Sequence, residues 1–217
     1  MKDRRRILVA STNPGKLAEI KAMLGEDIEW VGLSDFPNIN EVKEDGETFA
    51  ENARKKANGY ARATGLWTIG DDSGLVIDAL GGKPGVESAR FSGVRRASPQ
   101  RGGIKSNDRK QIDRENISKV LKLLEGIPKE KRAARFVCCL CLASPKKILA
   151  ETEGMLEGLI AEKPAGKNGF GYDPIFFVPK LNKTVAQLSR EEKNSISHRG
   201  NAIRKLKPLL GELLQIA

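Results

Sequence analysis

Residues 66–75 read LWTIGDDSGL, an apolar run that ends in two adjacent aspartates and passes at once into Ser-Gly. Adjacent carboxylates repel each other. Neither enters a folded interior cheaply without a cation or hydrogen-bond donors. Any fold of this chain must therefore bring positive charge to Asp71 and Asp72. A divalent metal that also bridges to phosphates is the leading candidate. Locally, the pattern predicts a short strand over 66–70, a glycine turn after the aspartates, and a second strand over 75–80.

The chain around this point is able to form a core. Its 217 residues suit one large domain or two small lobes, with 39% apolar and 30% charged residues. No apolar stretch has the length of a membrane span, and the basic N-terminus MKDRRRILVA lacks the apolar segment of a secretory signal. The net charge of +10 suits either solubility or attraction of polyanions such as nucleic acid or a nucleoside triphosphate. The densest basic run, from Arg95 to Arg114, has no interleaved aromatics and reads as a solvated loop rather than a nucleic-acid platform. Cys138, Cys139 and Cys141 share one apolar run. Their odd number and spacing argue against disulfides or zinc and for buried thiols in a reducing cytoplasm.

Hydrophobic periodicity organises the rest. A strand is expected at Ile7–Ala10, then a helix opened by the turn at 11–15, with Leu17, Ile20 and Leu24 on one face. Thr48 and Glu51 have capping-box spacing, and the helix they start runs to Gly65. The stretch 81–93 reads as irregular. A helix follows from about Arg109 to Glu125, then strands at 134–143, 148–152 and 155–161, a glycine-rich loop at 163–174, and a last helix from Ser197 towards Leu214 that Pro208 should kink. Helices and strands alternate and strands then cluster, which predicts an α/β protein with a mixed sheet.

Four stretches carry candidate chemistry. STNPGK at 11–16 ends a strand and begins a helix, either as an ordinary cap or as an anion site in which backbone N–H groups and Lys16 face a phosphate. The acidic stretch 41–47 is either a solvated loop or the source of a second metal carboxylate. Lys56 lies further along the helix behind it. The loop 168–174 sets Phe170 and Tyr172 among glycines, either folded into the core or available for a planar base. Finally, His198, the only histidine, lies beside Arg199 near a helix start, where donors would face a ligand and could select a carbonyl oxygen over an amino group.

Taken in order, STNPGK, EDGETFAENARKKA (44–57), GDDSGL (70–75), GGKPGVESARFSG (81–93), GFGYDPIFFVP (169–179) and SREEKNSISHRG (189–200) resemble the non-canonical purine nucleoside triphosphate pyrophosphatase family, the inosine and xanthosine triphosphate pyrophosphatases. The resemblance covers nearly the whole chain. It implies a single ITPase-like domain over 1–217, two-lobed around a long mixed sheet with flanking helices, with the active site in the cleft between lobes. It implies Mg2+-dependent hydrolysis of ITP, dITP and XTP to the monophosphate and pyrophosphate by a cytoplasmic homodimer. It assigns Asp72 as general base and metal ligand and Glu44 as the second metal carboxylate. Ser11, Thr12, Asn13, Pro14, Gly15, Lys16, Lys56 and Lys193 would hold the triphosphate. Ser73, Phe170, Gly171, Tyr172, Asp173, His198 and Arg199 would hold the nucleoside, with Asp71 a supporting acid. Two departures stand out. Lys43 occupies a position where many members carry an acid, which leaves Glu41 and Glu47 as other metal candidates, and the basic stretch 93–110 is longer than expected. Competing readings are a hydrolase of modified pyrimidine triphosphates and a basic nucleic-acid-binding protein.

Overall fold

The computed structural model describes residues 5–25, 27–93 and 106–216. Its strands are β1 (Arg6–Ala10), β2 (Glu29–Gly32), β3 (Trp67–Ile77), β4 (Ala133–Ala143), β5 (Ile148–Ile160), β6 (Phe176–Val178) and β7 (Lys183–Thr184). The helices are α1 (Pro14–Leu24), α2 (Phe49–Thr64), α3 (Ser106–Leu123), α4 (Arg190–Ile196) and α5 (His198–Ile216). Among the described residues the strands form one sheet in the order β2-β1-β3-β4-β5-β6-β7. β1 pairs in parallel with β2 and β3, whereas β5, β6 and β7 pair antiparallel, so the sheet is mixed and the α/β expectation holds. None of the described helices is long and apolar enough to cross a membrane.

The chain divides into two compact units. The first comprises Met1–Ser73, Cys138–Met155 and Ser197–Ala217. β1 is buried on both faces, as a parallel strand between helical layers requires. Ile7 and Val9 pack with Ile20, Ile69, Leu140 and Ile203, while Leu8 and Ala10 pack with Val31 and Tyr60. α2 starts as its sequence demands: Thr48 caps the Glu51 N–H, Glu51 reaches back to the Thr48 N–H, and Gly65 closes the helix. The second unit comprises Gly74–Val137 and Leu156–Ile196. Its core packs Ile117 and Val120 of α3, and Leu124 just after it, with Leu75, Ile77 and Phe176 of the sheet, and Phe136 stacks on Phe176 at 4.2 Å.

Several local expectations need correction. β3 is one strand of 11 residues, so Asp71, Asp72, Ser73 and Gly74 run extended instead of turning. Ser-Gly is turn-prone in isolation, but a strand held inside a sheet keeps its ladder. β5 is likewise one strand of 13 residues, with no break at Glu153-Gly154. Gly154 is there for space: a Cβ would lie 2.1 Å from the His198 carbonyl oxygen at the start of α5. α5 continues through Pro208, which sits on an exposed face while Leu206 and Leu210 stay buried, so water can satisfy a carbonyl that loses its donor. β2, β6, β7 and α4 are too short to show a period in the sequence. The 81–93 stretch, expected to be irregular, holds a 3-10 turn over Gly85–Arg90. Of the basic stretch 93–110, residues 94–105 lie outside the described residues.

Candidate active site

Extended geometry at Asp71 and Asp72 resolves the charge problem posed by the sequence, because consecutive strand residues point to opposite faces. On one face, Asp71 is fully buried and accepts from Lys16, from Arg199 Nε at 2.6 Å and from the Ser73 hydroxyl at 3.0 Å. The Cys138 thiol lies 3.8 Å from Oδ2, the oxygen that also accepts from Arg199. Burial alone would raise the Asp71 carboxyl, but the Arg199 guanidinium and the Lys16 ammonium outweigh it and hold Asp71 well below the usual carboxylate range. Arg199 is 1% exposed, and it also donates through Nη1 to Glu19 at 2.5 Å and through Nη2 to Ser73 at 2.7 Å. Burial works against this guanidinium, yet Asp71 and Glu19 together keep it firmly charged.

On the other face, Asp72 meets Lys56. The Lys56 ammonium donates to Asp72 Oδ1 at 3.1 Å and to Glu44 Oε2 at 3.0 Å. α2 reaches this position because Gly70 lets β3 run against it: a Cβ at Gly70 would lie 2.2 Å from the Ala53 carbonyl oxygen. Burial is the largest influence on Asp72 and pushes its carboxyl upward, against the pull of Lys56 and Lys16. Lys56 is itself desolvated but is held charged by Asp72 and Glu44. Of the acids in the 41–47 stretch, Glu44 is the one whose carboxylate joins Asp72 on a shared cation. Glu41 and Glu47 are exposed, and Lys43 pairs with Asp45 at the surface.

Among the described residues no group of three or more His, Cys, Asp or Glu is arranged to hold a metal ion. Glu44 and Asp72 nonetheless fit a hard divalent ion that takes one or two carboxylates and completes its shell with phosphate oxygens and water. Asp72 Oδ2 is buried and has no hydrogen-bond partner among the described residues, which is costly unless something positive comes to it.

The turn after β1 is built as a helix start. Asn13 caps α1 by accepting the Gly15 N–H at 2.9 Å, the Ser11 hydroxyl accepts the Asn13 N–H at 3.1 Å, and Pro14 occupies the first turn. Thr12 is exposed beside them. His198 is the first residue of α5 and is buried, 7% exposed.

The second unit gathers the remaining candidates around the glycine-aromatic loop. Asp173 Oδ2 accepts the Phe170 N–H at 2.9 Å and the Lys193 ammonium at 2.7 Å. The same ammonium lies 4.4 Å from the centroid of the half-buried Phe170 ring. Tyr172 is buried in the core and donates its hydroxyl to the Ser88 carbonyl at 2.8 Å, so of the two aromatics only Phe170 is left as a stacking surface. Lys193, expected among the phosphate residues, is engaged with this loop.

The structure thus assembles Lys16, Asp71, Ser73 and Arg199, with Glu44, Lys56 and Asp72, in one unit, and Phe170, Asp173 and Lys193 in the other. Sequence reasoning missed Glu19. The one signal available was an acid three residues after Lys16, on the helix side that also buries Ile20. It also missed Asp113, which accepts the Gly171 N–H at 2.9 Å from within the charged first half of α3.

Known proteins are similar to this chain over most of its length. A protein of Shouchella clausii named dITP/XTP pyrophosphatase is 48% identical over 201 residues, covering 93% of this chain and 94% of its own. A Geobacter sulfurreducens protein of the same name is 47% identical over 207 residues, covering 95% and 96%. The solved structure of the Staphylococcus aureus Ham1 protein superposes with a TM-score of 0.80 at 40% identity, covering 96% of this chain and 99% of that one. A Mycobacterium abscessus nucleoside-triphosphatase / dITP/XTP pyrophosphatase gives 0.70 at 43% identity, covering 94% and 99%. The Ham1 family model matches residues 7–209, and the chain belongs to the Ham1 family.

Proposed function

We propose that this chain is a nucleoside triphosphate pyrophosphatase that hydrolyses ITP, dITP and XTP to the nucleoside monophosphate and pyrophosphate, and so removes deaminated purines from the nucleotide pool. Relatives named for this activity on dITP and XTP support it at 44–48% identity. The observation that carries it is the pairing of Glu44 and Asp72 on the Lys56 ammonium, with the second Asp72 oxygen buried and unengaged among the described residues.

In this reading Glu44 and Asp72 hold a divalent metal, which we take to be Mg2+. When bound it would neutralise charge on the phosphoryl oxygens. Lys16, the backbone of Ser11 to Gly15, Lys56 and Lys193 supply further positive charge for the triphosphate. Asp72 orients a water and accepts its proton as the water oxygen bonds to phosphorus and the α–β anhydride bond breaks, with pyrophosphate as the leaving group. Phe170 stacks on the purine, with Gly171, Tyr172 and Asp173 shaping its loop, and Ser73 contacts the nucleoside. His198 and Arg199 donate to the 6-keto oxygen, where adenine carries an amino group. The anchoring of Arg199 by Asp71 and Glu19 fixes the plane of its guanidinium for that task. The whole chain acts as one catalytic domain, in a homodimer in the cytoplasm, with no nucleic-acid partner.

The test is a panel of triphosphates with separate detection of pyrophosphate and orthophosphate. ITP, dITP and XTP should release pyrophosphate with kcat/KM far above that for ATP. Orthophosphate as first product, or preference for a pyrimidine triphosphate, overturns the reading.

A further inference from the structure

Helix α3 carries Asp113, Asn116 and Lys119 at three-residue spacing, which puts them on one side of the helix. All three bind backbone groups. The Gly171 N–H donates to Asp113 Oδ2 at 2.9 Å. Asn116 accepts the Ser92 N–H at 2.7 Å and donates to the Ser88 carbonyl at 3.4 Å. Lys119 donates to the Phe91 carbonyl at 2.6 Å. The Ser88 carbonyl also takes the Tyr172 hydroxyl, so one helix grips both the 81–93 stretch and the glycine-aromatic loop.

Gly171 lies between Phe170 and Tyr172 and has a left-handed backbone, φ +61°. On one side, the Phe170 N–H is fixed by Asp173. On the other side, the next N–H along the chain is fixed by Asp113. The Phe170 ring is thus carried on a peptide segment clamped at two successive amides. Holding a stacking surface still before the ligand arrives spares the ordering cost of binding.

We propose that Asp113 is a positioning residue for the nucleoside end of the substrate, holding the Gly171 peptide and through it the Phe170 ring. This role presupposes the pyrophosphatase activity proposed above. A ring that stacks on the base contributes equally to the bound substrate and to the transition state, so its misplacement raises KM and leaves kcat alone. It also leaves untouched any ligand that has phosphates but no base.

The experiment compares Asp113→Ala and Asp113→Asn with wild type, using ITP as substrate and inorganic tripolyphosphate as competitive inhibitor. Loss of one such hydrogen bond corresponds to about a tenfold effect. Asp113→Ala should raise KM for ITP by that factor, with kcat and the tripolyphosphate inhibition constant within about twofold of wild type. Asp113→Asn, which keeps an acceptor oxygen, should restore the KM. In a Phe170→Ala background, Asp113→Ala should add little, because the two residues act through one contact. An unchanged KM in Asp113→Ala overturns the role. So do a parallel rise in the inhibition constant, failure of Asp113→Asn to restore, and full additivity with Phe170→Ala. Should the alanine variant not fold, Asp113→Ser, polar and too short to reach Gly171, carries the same comparison. A wild-type enzyme inactive on every triphosphate removes the activity and this role together. An active wild type beside an unaffected Asp113→Ala removes the role alone.

Discussion

Asp71 and Asp72 are neighbours in sequence with opposite surroundings, and the difference is a consequence of strand alternation. Asp71 is locked among Arg199, Lys16 and Ser73, whereas Asp72 keeps one oxygen buried and unengaged among the described residues beside Lys56. Replacing Asp72 by Asn removes a proton acceptor and half of the carboxylate pair while keeping the shape. Activity on ITP should fall by about 10²–10⁴-fold, the range of a lost general base, with the thermal midpoint near that of wild type. Steady-state kinetics with calorimetry on the same sample checks both halves. A nearly active Asp72→Asn enzyme would remove the base.

One element owes its position to a missing side chain, and another carries the buried thiols. β3 approaches α2 closely only because Gly70 has no Cβ. Gly70→Ala forces backbone apart and should cost at least about 1–3 kcal/mol, as overpacking does, read as a lowered denaturant midpoint at unchanged slope. It should also lower activity on ITP, because Lys56, which donates to Asp72 and Glu44, rides on the displaced helix. β4 carries all three cysteines, and burial pushes the Cys139 and Cys141 thiols up to about 12, with Glu153 and Glu151 adding to the effect. An acid whose folded pKa is raised stabilises the fold below its unfolded pKa, about 8.5 for a thiol, and loses that contribution as pH rises from there towards 12. The native protein at pH 8 should therefore resist a thiol reagent that titrates three groups after denaturation. Its stability should decline above about pH 8.5, less so in Cys141→Ser. Rapid native labelling at pH 8 contradicts this.

For the protein as a body, the relevant quantity is its net charge of +10 in a family whose named relatives act on polyanionic nucleotides. Long-range attraction of this kind is screened over about 10 Å at 0.1 M salt. kcat/KM for ITP should fall several-fold between about 0.05 and 0.5 M salt, mainly through KM. A flat salt response at constant free Mg2+ would show that the charge serves solubility alone. Much of this architecture is legible locally: the capping box at Thr48 and Glu51, the cap in the turn before α1, and the apolar face of α1 each appear in the structure. Short strands such as β6 and β7 carry too few residues to show alternation, and they exist because neighbours supply their hydrogen bonds. Likewise Ser73-Gly74 carries turn chemistry that pairing within the sheet overrides.

The residues alone established that Asp71 and Asp72 need positive charge, that the turn at 11–16 opens a helix beside Lys16, and that the chain is α/β. These follow from charge, composition and periodicity, which are properties of neighbours in sequence. Which acid shares Lys56 with Asp72, and which cations silence Asp71, depended on pairings across the fold. Arg199 lies 128 residues from Asp71 and 180 from Glu19, and the Asp113 grip on Gly171 spans 58. No local pattern encodes such contacts, because packing rather than chain spacing brings those groups within a hydrogen bond of one another.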